Sequence, residues 1–237
     1  MKGRFLLILA YDAAAAACSA ALVRDGVPVA REWQAMARGH AEVLVPMIER
    51  VMRGTPFNTL TAMGVTVGPG AFTGLRIALA TARGLVLATK VPAIGVSSFD
   101  VALHQTEAAC PRDAAMTVIA LETKRTDIYL QAFDVSGVAL TAPASVPPDD
   151  IARWLPPVEG TLAVAGDAAD RLIGCLPPAV NAVRVAGAEL PDAVAVAALT
   201  AACLAPSPGV MEAKPLQPLY LRPPDAKLPA PGALRRK

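Results

Sequence analysis

Short apolar runs separated by turn residues predict three consecutive strands at the start of the chain. The runs cover residues 5–10, 18–24 and 27–32, and Asp25-Gly26 is a strong turn signal between the last two. Beyond residue 39 the pattern changes, because apolar positions then recur every three or four residues, as they do on one face of a helix. The predicted series continues with a helix over 40–53, a strand over 62–67, a helix over 73–89, a strand over 92–96 and a third helix capped by Ser97.

The same order of elements recurs in the second half of the chain. A hairpin over 116–121 and 128–134 and a weak third strand after Ser136-Gly137 precede a short helix ending at 155, a strand over 162–165 and helices over 168–176 and 192–205. Such a repeat predicts an α/β fold of two duplicated ribonuclease-H or actin-like (ASKHA) lobes, each a mixed sheet with flanking helices. We expect an N-terminal lobe of residues 1–109, a less regular C-terminal lobe of 110–214 and a Pro-rich basic tail of 215–237.

The helix predicted over 73–89 has more apolar surface than a sheet needs to cover. Its only charges, Arg76 and Arg83, fall on one narrow stripe, which leaves two largely apolar faces. The first face comprises Leu75, Ala78, Leu79, Ala82 and Val86, and the second Ile77, Thr81, Gly84, Leu85 and Ala88. The second face predicts contact with a partner protein, and the alternative is a central helix buried on all sides within this chain.

The first predicted helix extends this partner-binding surface. The apolar residues predicted to meet the partner are Leu44, Met47, Ile48 and Val51 on that helix and Phe72 at the start of the other. Two such helices from each protein would pack as a four-helix contact.

A glycine-rich loop over 68–74 leads from the strand at 62–67 into this helix. The loop contributes Gly68, Pro69, Gly70, Thr73 and Gly74, followed by Arg76. Free N–H groups at a helix N-terminus attract anions, so phosphate binding is one interpretation. The loop lacks the Lys-Ser/Thr pair of a P-loop. We therefore interpret it as a tight turn next to the partner-binding surface, with phosphate binding as the alternative.

Composition and charge narrow the functions further. The 237 residues carry a formal net charge of +2, and apart from Arg235, Arg236 and Lys237 no basic stripe appears, which argues against tight nucleic-acid binding by this chain alone. Hydrophobic residues make up 54% but aromatics only 4%, so the core must be built from Ala, Val, Leu and Ile. The four cysteines have no paired spacing, which indicates a reducing, cytoplasmic setting and no zinc site.

The N-terminus weakly imitates an export signal. Lys2 and Arg4 precede an apolar run over 5–10, and Ala15-Ala16-Ala17-Cys18 resembles a lipoprotein cleavage site. Asp12 follows too soon for a signal core, so we expect a cytoplasmic protein and keep the exported lipoprotein as an alternative. We also expect no segment that is long and apolar enough to span a bilayer.

Three segments of this sequence resemble one protein family. They are the residues 8–22, which contain Ile-Leu-Ala-Tyr-Asp and Cys-Ser-Ala-Ala-Leu, the residues 40–48, His-Ala-Glu-Val-Leu-Val-Pro-Met-Ile, and the residues 67–77, Val-Gly-Pro-Gly-Ala-Phe-Thr-Gly-Leu-Arg-Ile. Residues 82–85 and 94–98 continue the match, and beyond residue 100 it rests on Ile128-Tyr129 and on 218–222. Together they resemble the bacterial TsaB family, the non-catalytic partner of the tRNA threonylcarbamoyl-transferase TsaD.

The resemblance implies a function and a set of partners. It implies an actin-like fold, heterodimerisation with a TsaD-like transferase, and a TsaE-like ATPase in the full complex. That complex transfers a threonylcarbamoyl group to N6 of the adenosine just 3′ of the anticodon, in tRNAs that read codons beginning with A. We further expect that tRNA is met only through the complex, that the chain binds no membrane, and that it pairs with itself when the partner is absent.

The residues that catalysis would need are missing or replaced. The family usually carries Asp-Thr-Ser and Asp-Ala-Arg where this chain has Asp12-Ala13-Ala14 and a different run over 121–125, so nucleotide binding by the chain alone loses support. Catalytic relatives hold a metal with two histidines four apart, whereas here His40 is followed by Leu44. We expect no catalytic residue, metal or cofactor. An actin-like kinase or peptidase acting alone is the alternative.

Overall fold

The structure is a computed structural model, and it describes residues 5–205 and 214–222. Five strands form the first sheet, in the spatial order β3-β2-β1-β4-β5. β1 pairs antiparallel with β2 and parallel with β4, so this sheet is mixed. Its strands are β1 (Leu7–Ala15), β2 (Ala17–Arg24), β3 (Val27–Ala35), β4 (Ala62–Gly68) and β5 (Ala93–Ser97).

The second sheet repeats the first, strand for strand. Its order is β8-β7-β6-β9-β10, with β6 antiparallel to β7 and parallel to β9. The strands are β6 (Ala114–Glu122), β7 (Ile128–Asp134), β8 (Ala144–Val146), β9 (Thr161–Ala165) and β10 (Ala182–Arg184). The helices are α1 (His40–Val51), α2 (Phe72–Thr89), α3 (Ser98–Thr106), α4 (Ile151–Trp154), α5 (Ala169–Ile173) and α6 (Ala193–Leu204). The prediction of duplicated actin-like lobes, each a mixed sheet with flanking helices, is confirmed.

Different helices cover the two faces of the first sheet. Because side chains alternate along a strand, Leu7 and Leu9 of β1 pack in one apolar cluster with α1 and α2, while Ile8 and Ala10 pack in another with α3 and α6. α3 lies between the two sheets, since its Phe99 packs in the cluster of the second sheet. The cap on α3 is as predicted: Ser97 Oγ accepts a hydrogen bond from the Phe99 N–H at 3.1 Å.

Several element bounds differ from the sequence prediction. β1 extends to Ala15, because it stays buried and paired beyond Ala10, and the weak third strand of the second lobe forms later, over Ala144–Val146. β10, with only three residues, was not predicted. α6 follows the second sheet in sequence but packs against the first, in the cluster with Ile8 and Ala10. The division of the chain at residue 109 stays a prediction.

The segment over 214–222 packs against the fold. Gly95 and Lys214 exchange two backbone hydrogen bonds at 3.1 and 3.0 Å, and Leu219 donates its N–H to the Val67 carbonyl at 2.8 Å. Residues 215–222 of the predicted Pro-rich tail are therefore held against the first lobe. Residues 223–237, with Arg235, Arg236 and Lys237, and residues 1–4, with Lys2 and Arg4, lie outside the described residues.

Candidate functional site

α2 presents an apolar face to solvent. Its inner side, which includes Leu75 and Leu79, is buried against the first sheet. On the outer side Leu87 is 73% exposed and Phe72 52% exposed, although side chains of this kind are usually covered. The remaining exposed residues of the helix are Thr73, Arg76, Ala80, Arg83, Gly84 and Ala88. The alternative of a helix enclosed on all sides by its own chain is therefore wrong.

The face that the sequence predicted overlaps this exposed side without coinciding with it. Phe72, Gly84 and Ala88 are exposed, whereas Ile77, Thr81 and Leu85 lie half-buried at its margin. Ile77 and Leu85 also pack against the core of the first sheet. The helix is thus turned slightly relative to the prediction, which moves Ala80 and Leu87 to the centre of the outer face. We call residues Phe72, Ala80, Gly84, Leu87 and Ala88 the outer face of α2.

The α1 residues predicted to bind the partner are not accessible. Leu44, Met47, Ile48 and Val51 are at most 3% exposed and belong to the core of the first sheet. Their prediction as a contact surface is wrong because α1 has a single apolar stripe, and covering the sheet uses all of it. Towards solvent α1 shows Val45, 45% exposed, among charged and small residues.

α2 also corrects the expectation about membrane-spanning segments. Its 18 residues have a mean hydropathy of 1.2, so by length and composition alone it would be able to cross a bilayer. In the structure the helix packs with one side on β1 and β4, and its arginines are both engaged. The hydropathy thus reflects two apolar sides, one against the sheet and one against solvent.

The glycine-rich loop is clamped onto the end of β1. The Ala71 N–H donates to the Ala14 carbonyl oxygen at 2.6 Å. A Cβ at Gly70 would lie 2.3 Å from that same oxygen, and a Cβ at Gly74 would lie 1.8 Å from the Ala13 oxygen. Gly68 and Pro69 complete the turn, and Thr73 is exposed. These contacts show a tight turn that brings the start of α2 against β1. They leave the phosphate interpretation without direct support.

Arg76 contacts the side chains of Phe72 and Tyr220 at the N-terminal end of α2. Its guanidinium carbon lies 3.7 Å from the centroid of the Phe72 ring, and its Nε–H donates to the Tyr220 hydroxyl at 3.1 Å. Tyr220 stacks on Phe72 with the ring centroids 5.5 Å apart. Cation–π and ring-stacking contacts of this kind fix exposed side chains in one arrangement.

A cleft of about 1190 Å³ lies between the lobes, and Phe72, Arg76 and Tyr220 line part of it. The first lobe contributes residues 14–16, 37–42 and 69–74, and the second contributes 121–125 and Asp167. Ser98 also lines the cleft, and its buried hydroxyl has no hydrogen-bond partner among the described residues. Strand ends that face such a crevice are where α/β folds commonly bind ligands.

Carboxyl groups with raised pKa values lie on both sides of the interlobe region. Burial raises the pKa of Asp12 to about 6, although its Oδ1 accepts the Ala14 N–H at 3.0 Å. In the second lobe burial raises the pKa of Asp167 to about 6, and the charge of Glu122 adds to the effect. Glu122 itself pairs with Arg171. Of these two carboxyl groups only Asp12 is inaccessible to solvent, because Asp167 keeps an exposed side in the cleft.

His40 has a local structural contact. Its Nε2 lies 3.1 Å from the Ala15 carbonyl oxygen, and Leu44, four residues on, is buried in the core. Within residues 5–205 and 214–222 no group of three or more His, Cys, Asp or Glu side chains is placed to hold a metal ion.

Sequence reasoning missed three residues of this region. Leu87 is the most exposed large hydrophobic side chain of α2, and neither predicted face included it. Its signal was available, since residues 73, 76, 80, 84 and 87 share one side at helical spacing. Val45 of α1 and Tyr220 carried no such signal. An isolated apolar residue among polar ones is common on surfaces, and nothing in the sequence places residue 220 beside residue 72.

A family model described as TsaD, tRNA N6-adenosine threonylcarbamoyltransferase, matches residues 34–205. The tRNA threonylcarbamoyladenosine biosynthesis protein TsaB of Escherichia coli (strain K12) is 34% identical over 125 residues, 52% of this chain and 52% of that protein. The match therefore spans about half the length of that curated relative.

Two further comparisons cover nearly the whole chain. An uncharacterized protein of Mycobacterium tuberculosis (strain H37Rv) is 32% identical over 228 residues, 93% of each chain. The solved structure of YeaZ from Pseudomonas aeruginosa is 25% identical, covers 91% of this chain and 100% of its own, and gives a TM-score of 0.75. The two-sheet arrangement is therefore found in a solved structure along its full length.

Proposed function

The chain belongs to the TsaB family, within the wider family that the TsaD model describes, and from this premise we propose that it is a non-catalytic subunit of a tRNA-modifying complex. Its role is to bind a TsaD-like threonylcarbamoyl-transferase through the outer face of α2. The name of the Escherichia coli relative supports the pathway, tRNA threonylcarbamoyladenosine biosynthesis, and the family model supports the kind of partner.

The exposed apolar side of α2 is the observation that carries this proposal. Phe72 stands at one end and Leu87 and Ala88 at the other, with Ala80 and Gly84 between them. A Cβ at Gly84 would meet nothing within 4 Å. Small residues flanked by larger ones let a second helix approach closely, and the flanking side chains then cover apolar surface on the partner.

Two helices of this chain would take part in the contact. α1 packs beside α2 on the same side of the first sheet and adds the exposed Val45. Two helices from a partner of the same fold would complete a four-helix arrangement, with a standard interface covering about 800 Å² on each protein. The same surface would pair two copies of this chain when the partner is absent.

Replacing Leu87 with Glu should weaken binding to the TsaD-like partner of the same organism by about tenfold or more. The charge would have to be buried against apolar surface, where it finds no counter-ion. Isothermal titration or co-purification of the two purified proteins measures the effect. Leu87 is the better position than Ile77 or Leu85, because those two also pack in the core and a charge there would disturb folding.

Val135→Glu is the matched control, since Val135 is 78% exposed on the second lobe. We expect it to bind the partner as the unchanged chain does, and we expect both variants to melt close to the unchanged protein. If Leu87→Glu binds as tightly as Val135→Glu, the outer face of α2 is not the contact surface.

The rest of the complex follows from the same proposal. A TsaE-like ATPase joins the pair. The TsaD-like partner is the subunit on which the threonylcarbamoyl group is transferred to tRNA, at N6 of the adenosine just 3′ of the anticodon. This chain meets tRNA only through the complex, in keeping with its net charge of +2.

An actin-like enzyme acting alone is the second candidate. The interlobe cleft and the unpartnered Ser98 hydroxyl favour it. The cleft carries both acidic and basic side chains, and His40 is engaged with the Ala15 carbonyl. Both observations favour the non-catalytic subunit over an enzyme. We expect the purified chain to hydrolyse ATP no faster than buffer with Mg²⁺ does. Turnover that Ser98→Ala removes would favour the enzyme.

A further inference from the structure

The C-terminal segment 214–222, called here the strap, is attached to both lobes. Its first residue, Lys214, pairs with Gly95 of β5, and a Cβ at Gly95 would lie 2.6 Å from the Lys214 carbonyl oxygen. Farther along, Arg83 of α2 donates to the Leu216 carbonyl at 2.5 Å. Leu219 is fixed by the hydrogen bond that its N–H donates to the Val67 carbonyl at the end of β4. The strap therefore runs along the first lobe from β5 to the start of α2.

The last residue of the strap is fixed in the second lobe. Arg222 Nη1 donates to Asp127 Oδ1 at 2.9 Å, and the Asp127 side chain is only 10% exposed. Asp127 also accepts a hydrogen bond from the Ser145 hydroxyl and one from Thr123 Oγ1 at 3.3 Å. Burial works against its charge, but Ser145 and Arg222 outweigh it and lower the pKa of Asp127. The carboxylate is thus a charged anchor at neutral pH.

Between these two attachments lies Tyr220, which contacts the outer face of α2. Two residues lie between the backbone bond of Leu219 and the ion pair of Arg222, so the chain there is held at both ends across a span of at most about 10 Å. Tyr220 has little freedom under this constraint. Its hydroxyl fixes the Arg76 guanidinium, and its ring packs on Phe72.

We propose that the strap belongs to the partner-binding surface, with Arg222 and Asp127 acting as positioning residues that hold Tyr220, Phe72 and Arg76 in the arrangement the partner meets. This inference rests on the proposed function, because it assigns a role within the same surface. Aromatic and arginine side chains are the residues that most often dominate protein interfaces, and a rigid arrangement lowers the entropy lost on binding. The second lobe thereby controls a surface of the first.

The Nε–H signal of Arg76 in nitrogen-15 NMR spectra of the full chain reports this arrangement directly. In the unchanged protein we expect the Phe72 ring to shift the signal upfield and the hydrogen bond to Tyr220 to slow its exchange with water. Tyr220→Phe removes the acceptor but keeps the ring, so exchange should accelerate while most of the shift remains. Arg222→Gln changes no atom of Phe72, Arg76 or Tyr220. A loss of both the upfield shift and the slow exchange would therefore show that the ion pair of Arg222 positions these side chains.

Binding to the TsaD-like partner is the second measurement. We expect Arg222→Gln to weaken it about fivefold and Arg222→Lys, which keeps the charge, to restore part of the loss. Arg184→Gln is the matched control, since it removes two surface ion pairs, one with Asp170 and one with Glu189, instead. Circular dichroism confirms that each variant is folded.

The outcomes separate the two proposals. If Arg222→Gln leaves the Arg76 signal unchanged, or alters the signal without changing partner affinity, the positioning role is wrong. If the unchanged chain does not bind the partner at all, the proposed function fails and the interface role of the strap fails with it. The NMR measurement needs no partner and still decides whether Arg222 positions Arg76.

Discussion

Replacing Gly74 with Ala should destabilise the protein by about 3 kcal/mol or more. The new Cβ would lie 1.8 Å from the carbonyl oxygen of Ala13 and 3.0 Å from its carbonyl carbon. Both atoms belong to Ala13, which is 0% exposed in the irregular stretch of β1 between Asp12 and Ala15, so the contact can be relieved only by shifting buried backbone. The clash outweighs the gain of about 1 kcal/mol that Ala normally brings to a helix interior.

Gly84→Ala provides a control in the same helix. A Cβ there meets nothing within 4 Å, so the helix propensity acts alone and should stabilise the chain by about 0.5–1 kcal/mol. Urea unfolding followed by circular dichroism measures both changes. Equal stability of the two variants would mean that the start of α2 does not approach β1 as closely as the structure shows.

The order of elements could be predicted because each leaves a local pattern. Apolar runs mark the strands of both lobes, apolar residues repeat every three or four positions along the helices, and Asp25-Gly26 marks the β2–β3 turn. β10 escaped prediction because three residues are too short to show alternation. The position of α6 was equally hidden, since the hydrophobicity of a helix does not say which sheet it covers.

The contact surface was predicted only in part, for a related reason. An apolar stripe shows that a helix is covered, but not whether its own chain or another protein covers it. For α1 the only stripe faces the sheet, so Leu44 and its neighbours are core residues. α2 has more apolar residues than a single face can hold. This excess was the informative signal, and it identified the helix whose apolar side is exposed to solvent. The strap depends on contacts between residues 95 and 144 positions apart, which no local pattern contains.

The buried carboxyl of Asp12 should lower the stability of the protein at neutral pH, and Asp12→Asn should restore it. In the folded chain burial raises the pKa of this group from 3.8 to about 6. The folded state thus holds a proton that the unfolded state has lost between these two pH values, and stability falls as the pH rises through that range. This difference in pKa corresponds to a destabilisation of the folded state by about 3 kcal/mol. The destabilisation is fully present above pH 6 and absent below about pH 4.

Asp12→Asn removes the charge and keeps the oxygen that accepts the Ala14 N–H. We expect it to be more stable than the unchanged chain at pH 7 and similar to it at pH 3.5, as measured by urea unfolding across this range. Asp134→Asn is the control with the opposite sign. Hydrogen bonds from Ser136 and the Val138 N–H lower the pKa of Asp134, so it stabilises the chain at neutral pH and the variant should be weaker there. If Asp12→Asn shows no advantage at pH 7, the carboxyl does not carry its charge in a buried site, and the end of β1 is more open to water than its 0% exposure implies.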